Sequence, residues 1–144
     1  MFIKVVNPNT TWSMTATMDP PSIESHYDEA LAVPGILTEI EKGERDSVDG
    51  YVIACFGDPG LDAARELAGS NVTVNAIAPA ASTPMTETIR TDERFKDTYL
   101  ESIPLRRWAE PDEVAESYLF LASEAAGYLT GQVLSVDGGR VMVR

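Results

Sequence analysis

Four short apolar runs punctuate the chain: Ile3 to Val6, Tyr51 to Cys55, Val72 to Ile77 and Val133 to Val136, each bounded by Gly, Pro, Asn or Asp. Continuous apolar runs of this length predict strands buried on both faces, so all four are expected to be central strands of a parallel sheet. Amphipathic stretches lie between them. The first predicts a helix from Ser22 to about Val33, where Pro34 should break or kink it, and a further helical run from Ile36 to Lys42 with Gly43 as its stop. Asp58-Pro59 predicts the next start, because an Asp cap accepts free amide hydrogens and proline fits the first helical turn. That helix is expected from Gly60 to Ala68, burying Leu61, Ala64, Leu67 and Ala68 and ending at Gly69. Glu110-Pro111 opens another, in which Val114, Tyr118, Leu121 and Ala122 recur at helical spacing, and one or two short helices are expected between Pro84 and Leu105.

Strands alternating with helical crossovers predict an α/β fold: one small doubly wound domain, Rossmann-like or flavodoxin-like, with about four mostly parallel strands. The stretch from Thr11 to Tyr51 can supply one crossover helix, and Met18-Asp19-Pro20-Pro21 leaves no room for an extra strand. A seam is expected in the loop Gly69-Ser70-Asn71. The chain has 144 residues, enough for a single core, whereas two independent halves of roughly 70 residues would be marginal without staples. Residues 1–144 are therefore read as one domain.

Composition narrows the chemistry. The 44% of hydrophobic and 24% of charged residues are those of a globular protein. No apolar run reaches the roughly 20 residues of a membrane helix, and Met1 leads into a strand-like run rather than a basic leader, so the protein is expected in the cytoplasm, away from membranes. With 23 acidic against 11 basic residues, the net charge of −12 repels phosphate backbones and makes nucleic acid a poor partner. One cysteine, Cys55, excludes an intrachain disulfide and a multi-cysteine metal site. A Ser-His-Asp triad would have to use His26, the single histidine, which has no nucleophile motif near it.

Residues 2 to about 68 resemble the hydantoin racemase branch of the aspartate/glutamate racemase superfamily. The resemblance is carried by Ile3-Lys4-Val5-Val6-Asn7-Pro8-Asn9-Thr10-Thr11, by Ser22-Ile23-Glu24-Ser25-His26-Tyr27-Asp28-Glu29-Ala30, and by the long run Asp49 to Leu61 that contains Cys55-Phe56-Gly57-Asp58-Pro59-Gly60. It implies that Cys55 is one of two catalytic thiols and that Asn7, Asn9 and Thr10 help hold a small carboxylate or hydantoin substrate. Racemisation beside a carbonyl needs a base on one face and an acid on the other, and a thiol serves either role. Placed between a strand end and a helix start, Cys55 is expected to have its thiolate favoured by the helix dipole. The plainer alternative is a small packing residue, and Asn7, Asn9 and Thr10 can equally be turn and cap residues. The family's second cysteine is absent from this sequence, and the segment between the first strand and Ser22 is shortened.

Residues 71 to 144 resemble the carboxyl-terminal third of a short-chain dehydrogenase/reductase. The runs that carry this are Val72 to Ala81, Thr83-Pro84-Met85-Thr86, Ile103 to Ala115, and Tyr128 to Gly139. The resemblance implies that the loop after Pro79 passes the nicotinamide end of a cofactor, that Pro84 to Arg107 covers substrate, and that the last strand forms an oligomer interface. The glycine-rich turn that cradles a pyrophosphate is replaced by Asn7-Pro8-Asn9-Thr10 after the first strand. The family's Tyr-x-x-x-Lys pair is also missing, since no tyrosine here has a lysine four positions on. No cofactor is therefore expected.

Together these half-matches predict a chimera of a racemase-like segment (1–69) and a dehydrogenase-like segment (70–144), by natural rearrangement or design. The expected chain is a folded homodimer without efficient catalysis. Residual racemase-type proton transfer at Cys55 is the first alternative, and a dinucleotide-binding dehydrogenase the second.

Overall fold

A computed structural model describes residues 2–6, 26–55 and 59–141, with side chains in the second stretch from 29 onward. The elements are β1 (Ile3–Val6), α1 (His26–Arg45), β2 (Gly50–Ala54), α2 (Leu61–Leu67), β3 (Thr73–Pro79), α3 (Glu87–Thr91), α4 (Lys96–Ser102), α5 (Pro111–Leu121) and β4 (Val133–Val136), with single 3-10 turns at Pro84–Thr86 and Glu124–Ala126. The four strands form one parallel sheet in the order β1-β2-β3-β4. The expected α/β domain is thus observed. Among the described residues no helix is long and apolar enough to cross a membrane.

Not all four strands are central. β1 and β4 are edges, and Val5 on β1 is 53% exposed, because an apolar run reports that a strand has one buried face but not which strands flank it. Side chains alternate between two cores. Tyr51, Ile53, Val74 and Ala76 meet Ile36 and Ile40 of α1 and Leu61 and Ala64 of α2. Val52 and Ile77 point the other way, against Val114 and Leu121 of α5 and Ala126.

Helices therefore cover both faces, but strand order never reverses. The crossovers from β1 to β3 pass over the first face and the crossover from β3 to β4 over the second, so they have opposite hands, one of them the uncommon left-handed kind. A crevice results. Where adjacent strands send their following segments to opposite faces, as β2 and β3 do, the carboxyl edge between them is where open α/β sheets bind ligands.

Helix α1 corrects the expected stop at Gly43 and the expected break, though not a kink, at Pro34. Pro34 lies inside it without ending it: Ala32, Ile36 and Ile40 continue one buried stripe through the proline, and that packing outweighs a local cost of about 3 kcal/mol. Gly43 is not the stop either. The helix runs on to Arg45 and ends with Ser47 at φ 56°, Ser47 N–H donating to Glu44 O at 3.3 Å and Val48 N–H to Gly43 O at 3.2 Å. Gly43 is instead small because a Cβ there would collide with the Tyr51 ring and hydroxyl.

α2 starts at Leu61, capped by Gly60 at φ 70°, while Asp58 lies outside the described residues. Leu61 and Ala64 are buried as expected, but Leu67, at the helix end and beside the Leu61-Ala64-Ala68 stripe, is 38% exposed. Val114 and Leu121 of α5 are buried and Tyr118 is half-buried. The segment from Pro84 to Leu105 holds α3 and α4, both short.

Candidate functional site

Cys55 directly follows β2 at the carboxyl edge, and since Ala54 registers with Ile77, it stands beside the Ala78 position of β3. Its side chain is 4% exposed and belongs to the apolar cluster of Val6, Ile53 and Leu61. The other resemblance-based site residues, Asn7, Asn9 and Thr10, lie outside the described residues. Val6, the last residue of β1, shares Cys55's cluster. Across the sheet, Tyr118 of α5 has its phenol pKa raised, first by burial and then by negative charge at Cys55.

The turn that leaves β3 is rigid. Thr86 Oγ1 donates to Ala81 O at 2.7 Å and accepts Thr83 N–H at 3.0 Å, while Ala81 pairs with Ala109 in a parallel bridge. Arg90 of α3 folds back on this turn, its Nη2 donating to Thr83 O at 3.3 Å. Its Nε is buried without an acceptor, a state that costs about 1–3 kcal/mol when nothing compensates it. Sequence reasoning did not single out Arg90, because an orphaned donor is created by the tertiary fold and leaves no local pattern.

Further polar groups missed in the sequence serve structure. Asn75, 1% exposed on β3, donates from Nδ2 to Leu129 O at 2.9 Å and accepts Gln132 N–H at 3.1 Å, tying β3 to the entrance of β4. Asp137 after β4 accepts Gly139 N–H at 2.9 Å and Val141 N–H at 2.8 Å. Tyr99 and Trp108 stack at 4.5 Å with an interplanar angle of 5°, and the Arg140 guanidinium sits 4.2 Å from the Tyr99 ring centre. The stack joins α4, the segment before α5 and the segment after β4.

A cavity of about 410 Å³ opens at the other end of the sheet. Asp49, Asn71, Thr73, Leu121, Glu124 and Ala126 are among the residues lining it, so it lies at the amino edge, away from Cys55. Among the described residues no three His, Cys, Asp or Glu side chains come together in a way that could hold a metal ion.

Comparison with known families agrees with the two-part reading. A family profile described as Asp/Glu/Hydantoin racemase matches residues 14–95, and one described as Enoyl-(Acyl carrier protein) reductase matches residues 61–140. The chain belongs to both families. The hydantoin racemase of Pseudomonas sp. (strain NS671) is 49% identical over 88 residues, covering 46% of this chain and 35% of that protein. The 88 aligned positions take in only 46% of this chain, so the racemase carries residues within the aligned stretch that this chain lacks. The 3-oxoacyl-[acyl-carrier-protein] reductase FabG of Thermotoga maritima is 51% identical over 80 residues, covering 55% of this chain and 32% of the reductase. The chain thus spans roughly a third of each of these relatives. The crystal structure of gox2181 superposes with a TM-score of 0.68 at 18% identity, covering 96% of this chain and 65% of that one, which establishes a shared fold.

Proposed function

We propose that the chain is one hybrid domain, racemase-like over 1–69 and dehydrogenase-like over 70–144, that folds without efficient catalysis. The observation that carries this is the setting of Cys55: the one thiol of the sequence is 4% exposed in an apolar cluster. Proton removal and return on opposite faces of a carbon needs two groups, and the second thiol of the racemase pattern is missing. The dehydrogenase-like half brings neither a glycine-rich phosphate turn nor a Tyr-x-x-x-Lys pair, so it acts as scaffold and holds no dinucleotide. Single-domain behaviour is supported by the pairing of β2 with β3 and by a cluster that joins Ile53 to Val74 and Ala76.

The second reading, residual racemase-type proton transfer on a small carboxylate or hydantoin, is favoured by one specific fact: Cys55 sits at the carboxyl edge where β2 and β3 part. Decay of the circular dichroism of an enantiopure 5-substituted hydantoin tests the two readings. The rate should match that of Cys55→Ala, and a wild-type rate about tenfold or more above it, a gain of some 1.4 kcal/mol in barrier, favours the second reading instead. Cytoplasmic residence and homodimerisation complete the proposal, the dimer forming through β4, an edge whose residues are all only half-buried. Sedimentation at high micromolar concentration should show a dimer.

A further inference from the structure

We propose that Arg90 is an anion-binding residue that takes a small carboxylate at the carboxyl edge of the sheet. Its Nε is a buried donor of a permanently charged group with no acceptor, and among the described residues no carboxylate forms an ion pair with it. The neighbouring arginines Arg94 and Arg107 do have carboxylate partners, Asp92 and Glu113.

The geometry selects the ligand. Nε–H and Nη2–H lie on one edge of the guanidinium, a fork that matches the two oxygens of a carboxylate. Nη2 is held only by the long 3.3 Å bond to Thr83 O, so the edge can turn to a ligand without giving up a strong internal bond. Thr83 Oγ1 lies 3.5 Å from Thr86 Oγ1, whose own proton goes to Ala81 O, so the Thr83 hydroxyl is spent within the turn and the guanidinium edge supplies the donors. That turn is fixed by the Thr86 bonds to Ala81 and Thr83, so the donors are presented by a rigid support rather than a loose loop. Arg90 is half-buried as a residue while its Nε is closed off from solvent, so an anion engages the Nε edge when the side chain turns outward from Thr83. Position agrees: Thr83 follows the end of β3, where the segments after β2 and β3 diverge. The site does not depend on proton transfer at Cys55.

Nitrogen-15 NMR of the arginine Nε–H groups reads the proposal directly on the whole chain. Acetate is titrated at constant ionic strength against sodium chloride, and the Arg90 signal is assigned by its loss in Arg90→Lys or, if that variant does not fold, by through-bond correlation in the wild type. The Arg90 Nε–H should move downfield and saturate with acetate, and the affinity read at the Thr83 amide should fall about tenfold in Arg90→Lys as the fork is lost. No saturable shift, a parallel drift of several arginine signals, or saturation with phosphate but not acetate would each overturn the carboxylate site. Because the readout is binding, its failure is separate from any failure of the hydantoin assay.

Discussion

Glu44 on α1 accepts the backbone N–H of Gly69 at 2.9 Å, so a carboxylate from the part matched by the racemase profile alone clamps a loop in the stretch that both profiles match. Its other oxygen lies 2.9 Å from the Tyr51 hydroxyl, which is also 3.0 Å from Ile40 O. Burial first, and then this carboxylate, push the Tyr51 phenol pKa upward, keeping the hydroxyl a donor. Glu44→Ala removes the acceptor of the exposed Gly69 N–H and a partner of the Tyr51 hydroxyl and should cost about 0.5–1.5 kcal/mol in urea unfolding. Glu44→Gln keeps an oxygen for Gly69 and an amide for Tyr51, and should cost far less. Equal losses in the two variants would show that the carboxylate's charge, rather than its acceptor position, is what matters.

Gly43 faces the same tyrosine. Gly→Ala in a helix ordinarily gains about 1 kcal/mol from propensity. Here the added methyl meets the Tyr51 ring and hydroxyl, and the net effect should be a loss of about 1–3 kcal/mol, read as a lower melting temperature. A gain in Gly43→Ala would mean that Tyr51 moves aside freely.

Local signals carried much of this fold. The β-branched runs placed β1 and β4 at their observed bounds, and Val114, Leu121, Leu61 and Ala64 were legible as buried helix positions. What the sequence left open is set by partners distant along the chain. Strand order, hence the exposure of Val5, depends on which strands pair, and Pro34 reads as a breaker until Ile36 and Ile40 are seen to hold the helix on the sheet. The candidate site was legible only in part for the same reason: the place of Cys55 after β2 follows from local pattern, whereas its apolar surroundings and the orphaned Arg90 Nε come from packing.

Asn75 lies within the run that resembles the dehydrogenases, yet its amide is used internally. Asn75→Leu fits an apolar side chain between β3 and the β4 entrance but leaves Leu129 O and Gln132 N–H without their partner. Both bonds are only part-buried, so each lost partner costs up to about 1–3 kcal/mol and the variant should be clearly destabilised in urea unfolding. Hydrogen exchange should also rise at Gln132 first. Unchanged protection there would show that another acceptor takes over.

Glu113 gives the stability a pH signature. Its pKa is lowered from 4.5 to about 2, chiefly by the Arg107 guanidinium and then by the Glu110 N–H that it accepts at 2.9 Å at the start of α5. Because the folded value is below the unfolded one, the stabilisation is present above pH 4.5 and is lost as pH falls through about 2. The difference in urea midpoint between wild type and Glu113→Gln should shrink across that window. Solvent exposure of both partners makes the effect modest and salt-sensitive. A difference that stays constant from neutral pH to pH 2 would count against the ion pair.

Cys55 decides between a packing thiol and a working one. At 4% exposure among Val6, Ile53 and Leu61, it can meet a reagent only when the carboxyl edge opens locally. Iodoacetamide labelling of the native protein should therefore be slower than in urea by a factor on the order of 100, with Cys55→Ser as the blank. Labelling that instead proceeds at comparable rates would place the thiol in open contact with solvent and strengthen the proton-transfer reading. Even then catalysis should be poor, since a thiolate that takes a proton from one face has no second cysteine in the sequence to return it on the other. Any hydantoin turnover must also disappear in Cys55→Ala. Turnover that persists in that variant would remove Cys55 from the chemistry altogether and leave the racemase-like half as a scaffold.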